Sequence, residues 1–509
     1  MFVDSLVDKL AEHPGQRMRF LSRDGSTLVR TYAEIHDDAG RLMAELRDSG
    51  LGAGDLVGVL GPNSYEWILA DLALLALGCV PVAIPAENRH DAAQIGALVD
   101  TYRLAALLVT RALPGGAGLP AATAVLSERP VKLDPVRHAD APALPPGVRT
   151  IAFSSGTAGT QKGLLLTDDG IANTVELSAR AWQVTPDDDI AIVMPYSNFQ
   201  QRYLTYLAIW TGCAATVVPP EIMFQAFKAV EPTIILGPPS FFELLHNRVM
   251  AADPAERMDK GRGWLSMYGS RVRLMYTGSA PVPPAMVALF QELGAPLYEL
   301  YGSTEIGWIA MNVPGRAKIG TAGRPVDGIT VELGDDGEVL VRAERPQVAG
   351  YVYEGVETQD AVFLPDGRIA TGDLGVLEDG FLRLTGRKKN VIITRSGVKI
   401  NPAELEADVE RAFPGVRAMV ALPDGAALLA CVLWIEDIED IEDIEDTARA
   451  AEVEAYIKRM NAGREPSHRI ATTLVRPAEE LTVESGLLTR NFKIDRGAVA
   501  RAVWGSGDR

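Results

Sequence analysis

Short apolar runs alternate with longer segments of helical periodicity along most of this chain. Strands are predicted where the apolar runs are short, at residues 56–60, 191–194, 233–236, 273–276 and 337–341. The last of these follows an Asp-Asp-Gly turn. Helical spacing of the apolar positions predicts helices at residues 32–46 and 65–77. Alternation of these two element types is typical of α/β folds.

The most apolar stretch of the chain covers residues 67–84. It contains Asp71 and Pro81, which do not suit the uninterrupted apolar helix that crosses a bilayer. We therefore predict a buried helix that runs into a buried strand.

The length of 509 residues exceeds what one hydrophobic core normally organises. A basic run, Arg387 to Lys389, interrupts the apolar pattern directly after Gly386. We predict a large, multi-subdomain α/β region at residues 1–386 and a small α+β domain at residues 387–509.

The formal net charge of -18 argues against a nucleic-acid partner and against an anionic membrane surface. Part of this charge comes from an Ile-Glu-Asp repeat at residues 435–446, predicted to be a solvated acidic loop, with a docking site for a basic partner as the alternative. Three cysteines are too few for a disulfide framework, and the first ten residues lack the pattern of a signal peptide. The prediction is a cytoplasmic protein; its oligomeric state is left open.

Residues 154–163 have the composition of a phosphate-binding loop. Glycines let the backbone approach a ligand, hydroxyl and free N–H groups can surround an anion, and Lys162 adds a positive charge. The segment is not a Walker A loop, because Gln161 and Gly163 replace a glycine and a Ser or Thr of that motif. A flexible surface loop is the alternative. The candidate nucleotide-binding residues here are Ser154, Ser155, Gly156, Thr157, Gly159 and Thr160.

Further motifs follow in a fixed order. They are Tyr-Gly-Ser-Thr-Glu at 301–305, Thr-Gly-Asp-Leu at 371–374, Gly-Arg-Lys-Lys-Asn at 386–390, and a C-terminal segment at 486–493 that ends in Lys493. Together with the glycine-rich segment, this order resembles the adenylate-forming superfamily of acyl-CoA synthetases, luciferases and peptide-synthetase adenylation domains. The C-terminal segment is most similar to that of long-chain acyl-CoA synthetases. The resemblance extends over nearly the whole chain.

The resemblance implies a nucleotide site built from these motifs. Asp373 would accept hydrogen bonds from both ribose hydroxyls, and Arg387 would reach the ribose or the phosphates. Tyr301 would offer its ring to the adenine. Further residues are expected to border the nucleotide: Gly278, Ser279, Ala280, Pro281, Gly302 and Ser303.

A second implied group of residues serves the chemistry. A carboxylate that attacks a phosphate meets charge repulsion, which the site must neutralise. Glu305 would hold Mg²⁺, and Thr304 would donate its hydroxyl to the α-phosphate. Lys162 and Lys493 would bind phosphate oxygens, Lys493 together with the attacking carboxylate. Lys389 would be the hinge of a mobile C-terminal domain.

The segment after the strand at 191–194 departs from the family pattern. Many acyl-CoA synthetases have a histidine where this chain has Asn198, and an asparagine cannot become a cation. We expect Tyr196, Asn198 and Arg202 to form a wall that faces the acid or the acceptor. Such a polar wall favours a functionalised or aromatic acid over a plain long-chain fatty acid.

The resemblance implies that the chain uses ATP and Mg²⁺ to activate an acid as its adenylate, releases pyrophosphate, and transfers the acyl group to a thiol, with CoA as the expected acceptor. Three alternatives stay open. One is activation of nitrite and formation of a diazo group on an aromatic amine. Another is loading of a carrier protein. The third is a non-catalytic nucleotide-binding role, against which the presence of Lys493 argues.

Overall fold

The computed structural model describes residues 1–85, 92–111, 122–128, 130–138, 143–153, 162–280, 282–394, 398–413, 415–423, 426, 428–435, 448–489 and 493–505. Its helices are α1 Leu6–Glu12, α2 Tyr32–Asp48, α3 Tyr65–Leu77, α4 Ala92–Tyr102, α5 Asp168–Ala181, α6 Phe199–Thr211, α7 Met223–Val230, α8 Ser240–Ala251, α9 Arg257–Trp264, α10 Pro284–Glu292, α11 Val356–Asp360, α12 Pro402–Ala412, α13 Ala448–Ala462 and α14 Arg496–Trp504.

The strands of the first half of the chain are β1 Arg17–Leu21, β2 Thr27–Thr31, β3 Leu56–Leu60, β4 Val80–Ile84, β5 Ala106–Val109, β6 Thr123–Val125, β7 Val148–Phe153, β8 Gly163–Thr167, β9 Asp189–Ile192, β10 Ala214–Val217 and β11 Ile234–Gly237. The remaining strands are β12 Leu274–Thr277, β13 Leu297–Ser303, β14 Gly307–Met311, β15 Arg324–Pro325, β16 Ile329–Leu333, β17 Glu338–Ala343, β18 Val348–Val352, β19 Ile369–Glu378, β20 Phe381–Arg387, β21 Ile392–Ile393, β22 Lys399–Ile400, β23 Val416–Ala421, β24 Leu429–Ile435 and β25 Ile470–Pro477.

A seven-stranded sheet in the order β18-β8-β7-β4-β3-β5-β6 contains the apolar stretch predicted to be a buried helix and strand. This prediction is confirmed, since α3 packs behind β3 and β4, and every residue of both strands is buried. The helix begins where the Ser64 side chain accepts the Trp67 N–H, and it ends at Gly78, whose φ of 80° suits glycine. Across the described ranges, no helix is long and apolar enough to span a bilayer.

A nine-stranded sheet in the order β15-β14-β13-β12-β11-β9-β10-β1-β2 carries most of the other predicted strands. Three of them begin or end one or two residues away from the prediction. The strand predicted at 191–194 is β9, which begins at Asp189 because that carboxylate is buried against Arg19 and Thr216. Strands β9 to β13 run parallel, so their carboxyl ends meet at one edge, where ligands of α/β proteins commonly bind.

The C-terminal part has a separate small core. A four-stranded sheet, β16-β17-β19-β20, ends at Arg387. After it, a three-stranded sheet, β23-β24-β25, packs with α12 and α13 around buried aliphatic side chains.

The α/β class is confirmed. The predicted division at 386/387 falls at the last residue of β20 and stays a prediction. Of the acidic repeat only Ile435, the end of β24, lies within the described residues.

Candidate functional site

The predicted phosphate loop joins two paired strands. Residues 154–161 lie outside the described residues, but β7 and β8 on either side are antiparallel, with Phe153 opposite Gly163. Lys162 stands at the start of β8, and its ammonium lies 5.2 Å from the centre of the Tyr351 ring. Lys162, the last residue before β8, therefore lies next to Tyr351 of β18.

Tyr351 connects this lysine to the predicted metal ligand. Its hydroxyl donates to Oε1 of Glu305 over 3.1 Å, while its ring contacts Lys162. Within the described residues there is no group of three or more His, Cys, Asp or Glu side chains that could enclose a metal. A single carboxylate fits Mg²⁺ that arrives with a triphosphate, because this ion commonly binds one or two carboxylates plus phosphate oxygens and water.

Thr304 is held by a residue that the sequence did not single out. Gln347 is 2% exposed; its amide donates to the Thr304 carbonyl over 2.9 Å, and its oxygen accepts the Thr174 hydroxyl over 2.7 Å. Gly302 is required beside it, since a Cβ there would lie 2.4 Å from the Gly307 carbonyl oxygen. No sequence motif marked Gln347, because its role depends on contacts with distant α5 and with the residue that follows β13.

The predicted ribose ligand lies between two donors. Asp373 and Arg387 are opposite each other on β19 and β20, and the guanidinium Nε lies 2.9 Å from Oδ1 of Asp373. The Tyr301 hydroxyl donates to Oδ2 over 2.7 Å. Each carboxylate oxygen keeps a lone pair for a ribose hydroxyl. Tyr301 itself is 7% exposed, so its predicted stacking surface is largely covered in this arrangement.

Lys493 approaches the same carboxylate from the C-terminal part. Burial and the nearby Arg387 and Lys389 lower its pKa to about 8, while Asp373 acts in the opposite direction. Burial and Arg387 likewise lower the pKa of Lys389. Four residues predicted from three separate motifs, Asp373, Arg387, Lys389 and Lys493, therefore share one electrostatic environment at the end of β20.

Asn198 lines an open cavity of about 400 Å³ at the carboxyl ends of β11 and β12. Its side chain caps α6 by accepting the Gln200 N–H over 3.0 Å. Across the cavity, the Ser279 hydroxyl donates to the Gln200 amide oxygen over 3.1 Å. Ser279 has a φ of 67°, an unusual value for a residue with a side chain. Predicted residue Gly278 is also part of this wall, while Pro281 lies outside the described residues.

The structure corrects the prediction that Tyr196 and Arg202 share this wall, since neither lines the cavity. Arg202 is 1% exposed and forms a buried ion pair with Asp71, with Nε 2.9 Å from Oδ2. The Tyr196 hydroxyl accepts from Thr205, and its ring packs 5.1 Å from that of Trp67. Both side chains extend from the face of α6 and its preceding loop that packs on α3.

Comparison with known proteins agrees with this geometry. The sequence model of the family described as AMP-binding enzyme matches residues 8–354. The long-chain-fatty-acid–CoA ligase FadD15 of Mycobacterium bovis is 28% identical, over 94% of this chain and 91% of that protein. The indoleacetate–CoA ligase of Aromatoleum aromaticum is 30% identical, over 77% of this chain and 79% of that protein.

Among solved structures, the O-succinylbenzoate coenzyme A synthetase of Bacillus subtilis in complex with ATP and magnesium ion superposes with a TM-score of 0.75. Its sequence identity is 20%, and the match covers 99% of both chains, which shows a shared fold. The chain belongs to the AMP-binding enzyme family and is an ATP-dependent adenylate-forming ligase related to acyl-CoA ligases.

Proposed function

We propose that this enzyme converts a small, functionalised carboxylic acid into its acyl-adenylate and then transfers the acyl group to the thiol of CoA. The observation that carries the proposal is the position of Lys493 beside the Asp373–Arg387 pair. A C-terminal cation next to a ribose-binding carboxylate is suited to a reaction at the α-phosphate.

In the first step, an oxygen of the acid attacks the α-phosphorus of ATP, the bond to the β-phosphate oxygen breaks, and pyrophosphate leaves. Glu305 would hold Mg²⁺, which neutralises phosphate oxygens. Lys162 would bind the outgoing phosphates, Asp373 would fix the ribose, and Lys493 would neutralise the attacking carboxylate. In the second step, the sulfur of CoA attacks the carbonyl carbon, its proton passes to solvent, and AMP leaves.

The cavity around Asn198 supports a small and polar acid. Its polar groups are neutral amides and a hydroxyl, from Asn198, Gln200, Gln201 and Ser279. Trp308 is part of its wall. The similarity to an indoleacetate–CoA ligase is in keeping with an aromatic acid, whereas the similarity to FadD15 would favour a long-chain acid.

Nitrite is the second candidate substrate, and the neutral Asn198 is the observation that favours it. Nitrite has the two-oxygen shape of a carboxylate without a side chain, and the cavity presents no positive side chain among its described walls. Its activated form would transfer a nitrosyl group to an aromatic amine, and loss of water from the product would give the diazo group.

A pyrophosphate-release screen tests these proposals. Palmitate, indoleacetate, substituted benzoates and nitrite would be supplied with ATP and Mg²⁺, with and without CoA. We expect the fastest release with a substituted aromatic acid, and formation of its CoA thioester. Faster turnover of palmitate would overturn the substrate class, and acyl-adenylate that never passes to CoA would point to a carrier protein or an amine as acceptor.

A further inference from the structure

A second cavity, open to solvent and about 190 Å³ in volume, adjoins the one around Asn198. Gln200 and Trp308 line both cavities, so these two side chains form the partition. The second cavity lies between α5, α6 and the start of β14, and Thr174, Tyr203 and Gln347 belong to its walls. The two cavities are therefore direct neighbours with a common wall.

Tyr203 presents a buried polar group with hydrogen-bonding capacity to spare. The residue is 1% exposed, and its hydroxyl lies near Ser178 and Trp308, but it makes no hydrogen bond of normal geometry with any residue that the structure describes. Burial raises the pKa of Tyr203 more than Ser178 and Trp308 lower it, which keeps the hydroxyl protonated and able to donate. Buried hydroxyl groups are nearly always hydrogen-bonded in folded proteins, so this one has capacity for a water molecule or for a polar group of a ligand.

The other polar groups of the second cavity are neutral. Thr174 donates its hydroxyl to the Gln347 oxygen, and Gln347 donates to the Thr304 carbonyl, which leaves the Thr174 oxygen and one amide hydrogen of Gln347. No charged side chain is present among the described residues that line either cavity. A charged substituent would therefore be buried without a counter-charge, which is strongly unfavourable.

Aromatic rings give the second cavity its shape. The Tyr203 and Trp308 rings are 5.8 Å apart at an interplanar angle of 77°, and Phe199 lies 6.3 Å from Tyr203. The indole N–H of Trp308 donates to Ser178, so its ring is held in place. Behind this pair, Trp182 packs 6.4 Å from both rings. The packed rings limit the depth of the site and offer flat apolar surfaces.

We propose that the second cavity receives a neutral hydroxyl or amino substituent on the ring of an aromatic acid, and that Tyr203 determines the preference for that substituent. This inference rests on the proposed function and names the substrate class of the same site. Tyr203 hydrogen-bonds the substituent while the carboxylate stays in the first cavity near Asn198. A site built to hydrogen-bond a polar group rejects the analogue that lacks it far more strongly than an apolar pocket rejects an extra methylene.

The test compares matched benzoates in the acid-dependent exchange of pyrophosphate into ATP. The measured quantity is the ratio of kcat/KM for hydroxy- or aminobenzoate to that for unsubstituted benzoate. The substituent is placed in turn at each ring position, and a benzene dicarboxylate serves as the charged analogue. We expect a ratio of about 100 or more for the best isomer of the parent enzyme, and a loss of at least about tenfold in that ratio for Tyr203→Phe.

Tyr206→Phe is the matched control. It makes the same chemical change on the same helix, but the Tyr206 hydroxyl donates to Asp71 over 2.6 Å and lines neither cavity. We expect a lower melting temperature and an unchanged specificity ratio for this variant. An unchanged ratio in Tyr203→Phe, an equal loss in both variants, or a parent preference for benzoate or the dicarboxylate would overturn the inference. Complete absence of acid-dependent exchange in the parent enzyme would overturn the proposed function, and with it this inference.

Discussion

Raising the pH above 8 is expected to slow adenylate formation by removing the charge of Lys493. Burial and the neighbouring Arg387 and Lys389 lower the pKa of this lysine from 10.5 to about 8. A neutral amine cannot neutralise the attacking carboxylate and the phosphate oxygens. The constant kcat/KM, which reports the ionisation state of the free enzyme, should therefore be proportional to the protonated fraction of Lys493.

The expected size of the effect follows from that pKa. The charged fraction is about one half at pH 8, about one tenth at pH 9 and about one hundredth at pH 10. Consequently kcat/KM for ATP should fall about tenfold for each pH unit above 8. The decrease of kcat with rising pH should occur at higher pH than that of kcat/KM. The reason is that bound triphosphate adds negative charge near the ammonium and raises its pKa.

The assay is pyrophosphate exchange from pH 6.5 to 10 at constant ionic strength and saturating Mg²⁺. Lys493→Arg serves as the matched variant, since a guanidinium stays charged over this range. This variant should be slower than the parent enzyme, but its rate should not decrease above pH 8. Lys389→Gln removes a cation that lowers the pKa of Lys493, so the decrease of its rate should move to higher pH. A flat parent profile up to pH 10, or the same decrease in Lys493→Arg, would refute the reasoning.

Three other changes probe separate parts of the molecule. Glu305→Gln should lower turnover at least about a hundredfold and raise the Mg²⁺ requirement in a metal titration; full activity in excess chelator would contradict the metal role. Lys389→Pro should preserve adenylate formation but slow acyl transfer in single-turnover assays, because proline fixes φ at the hinge; equal loss of both steps in the folded variant would exclude the hinge. Asp71→Leu should lower the free energy of unfolding by about 3–5 kcal/mol in urea titrations, since Arg202 then keeps a buried charge without a partner. The double variant with Arg202→Met should recover most of that loss, and no recovery would show that the ion pair is not the cause.

The elements that could be predicted from the sequence are those whose signals are local. The helical spacing of apolar positions predicts α3 with its observed bounds, and the structure shows the local signals at its ends, the Ser64 cap and Gly78. The start of β9 was placed two residues late, because Asp189 is polar and its burial depends on Arg19 and Thr216 from other strands. Contacts between distant segments are not visible in a local pattern of apolar positions.

The same distinction applies to the candidate site. Asp373, Arg387 and Tyr301 could be named because each belongs to a contiguous motif, and the structure brings them together. The residues of the cavity wall could not be predicted from a contiguous motif. The orientation of the Arg202 side chain is set by Asp71, which is 131 residues away along the chain. Gln347 was missed for the same reason, since its partners are Thr174 and Thr304.

The orientation of α6 has a consequence for the order of events in catalysis. Its one arginine pairs with Asp71 in the core, and its N-terminal end gives the cavity the neutral Asn198, Gln200 and Gln201. An acid that enters this cavity therefore meets no counter-charge on the described walls. Positive charge next to the Asp373 carboxylate comes from Arg387 and from Lys493, which is near the C-terminus. If the acid is activated as proposed, its carboxylate becomes an effective nucleophile only when the C-terminal part has brought Lys493 to Asp373. Adenylate formation is then coupled to the position of that part of the chain, and movement of Lys493 away would open the same carbonyl to the thiol.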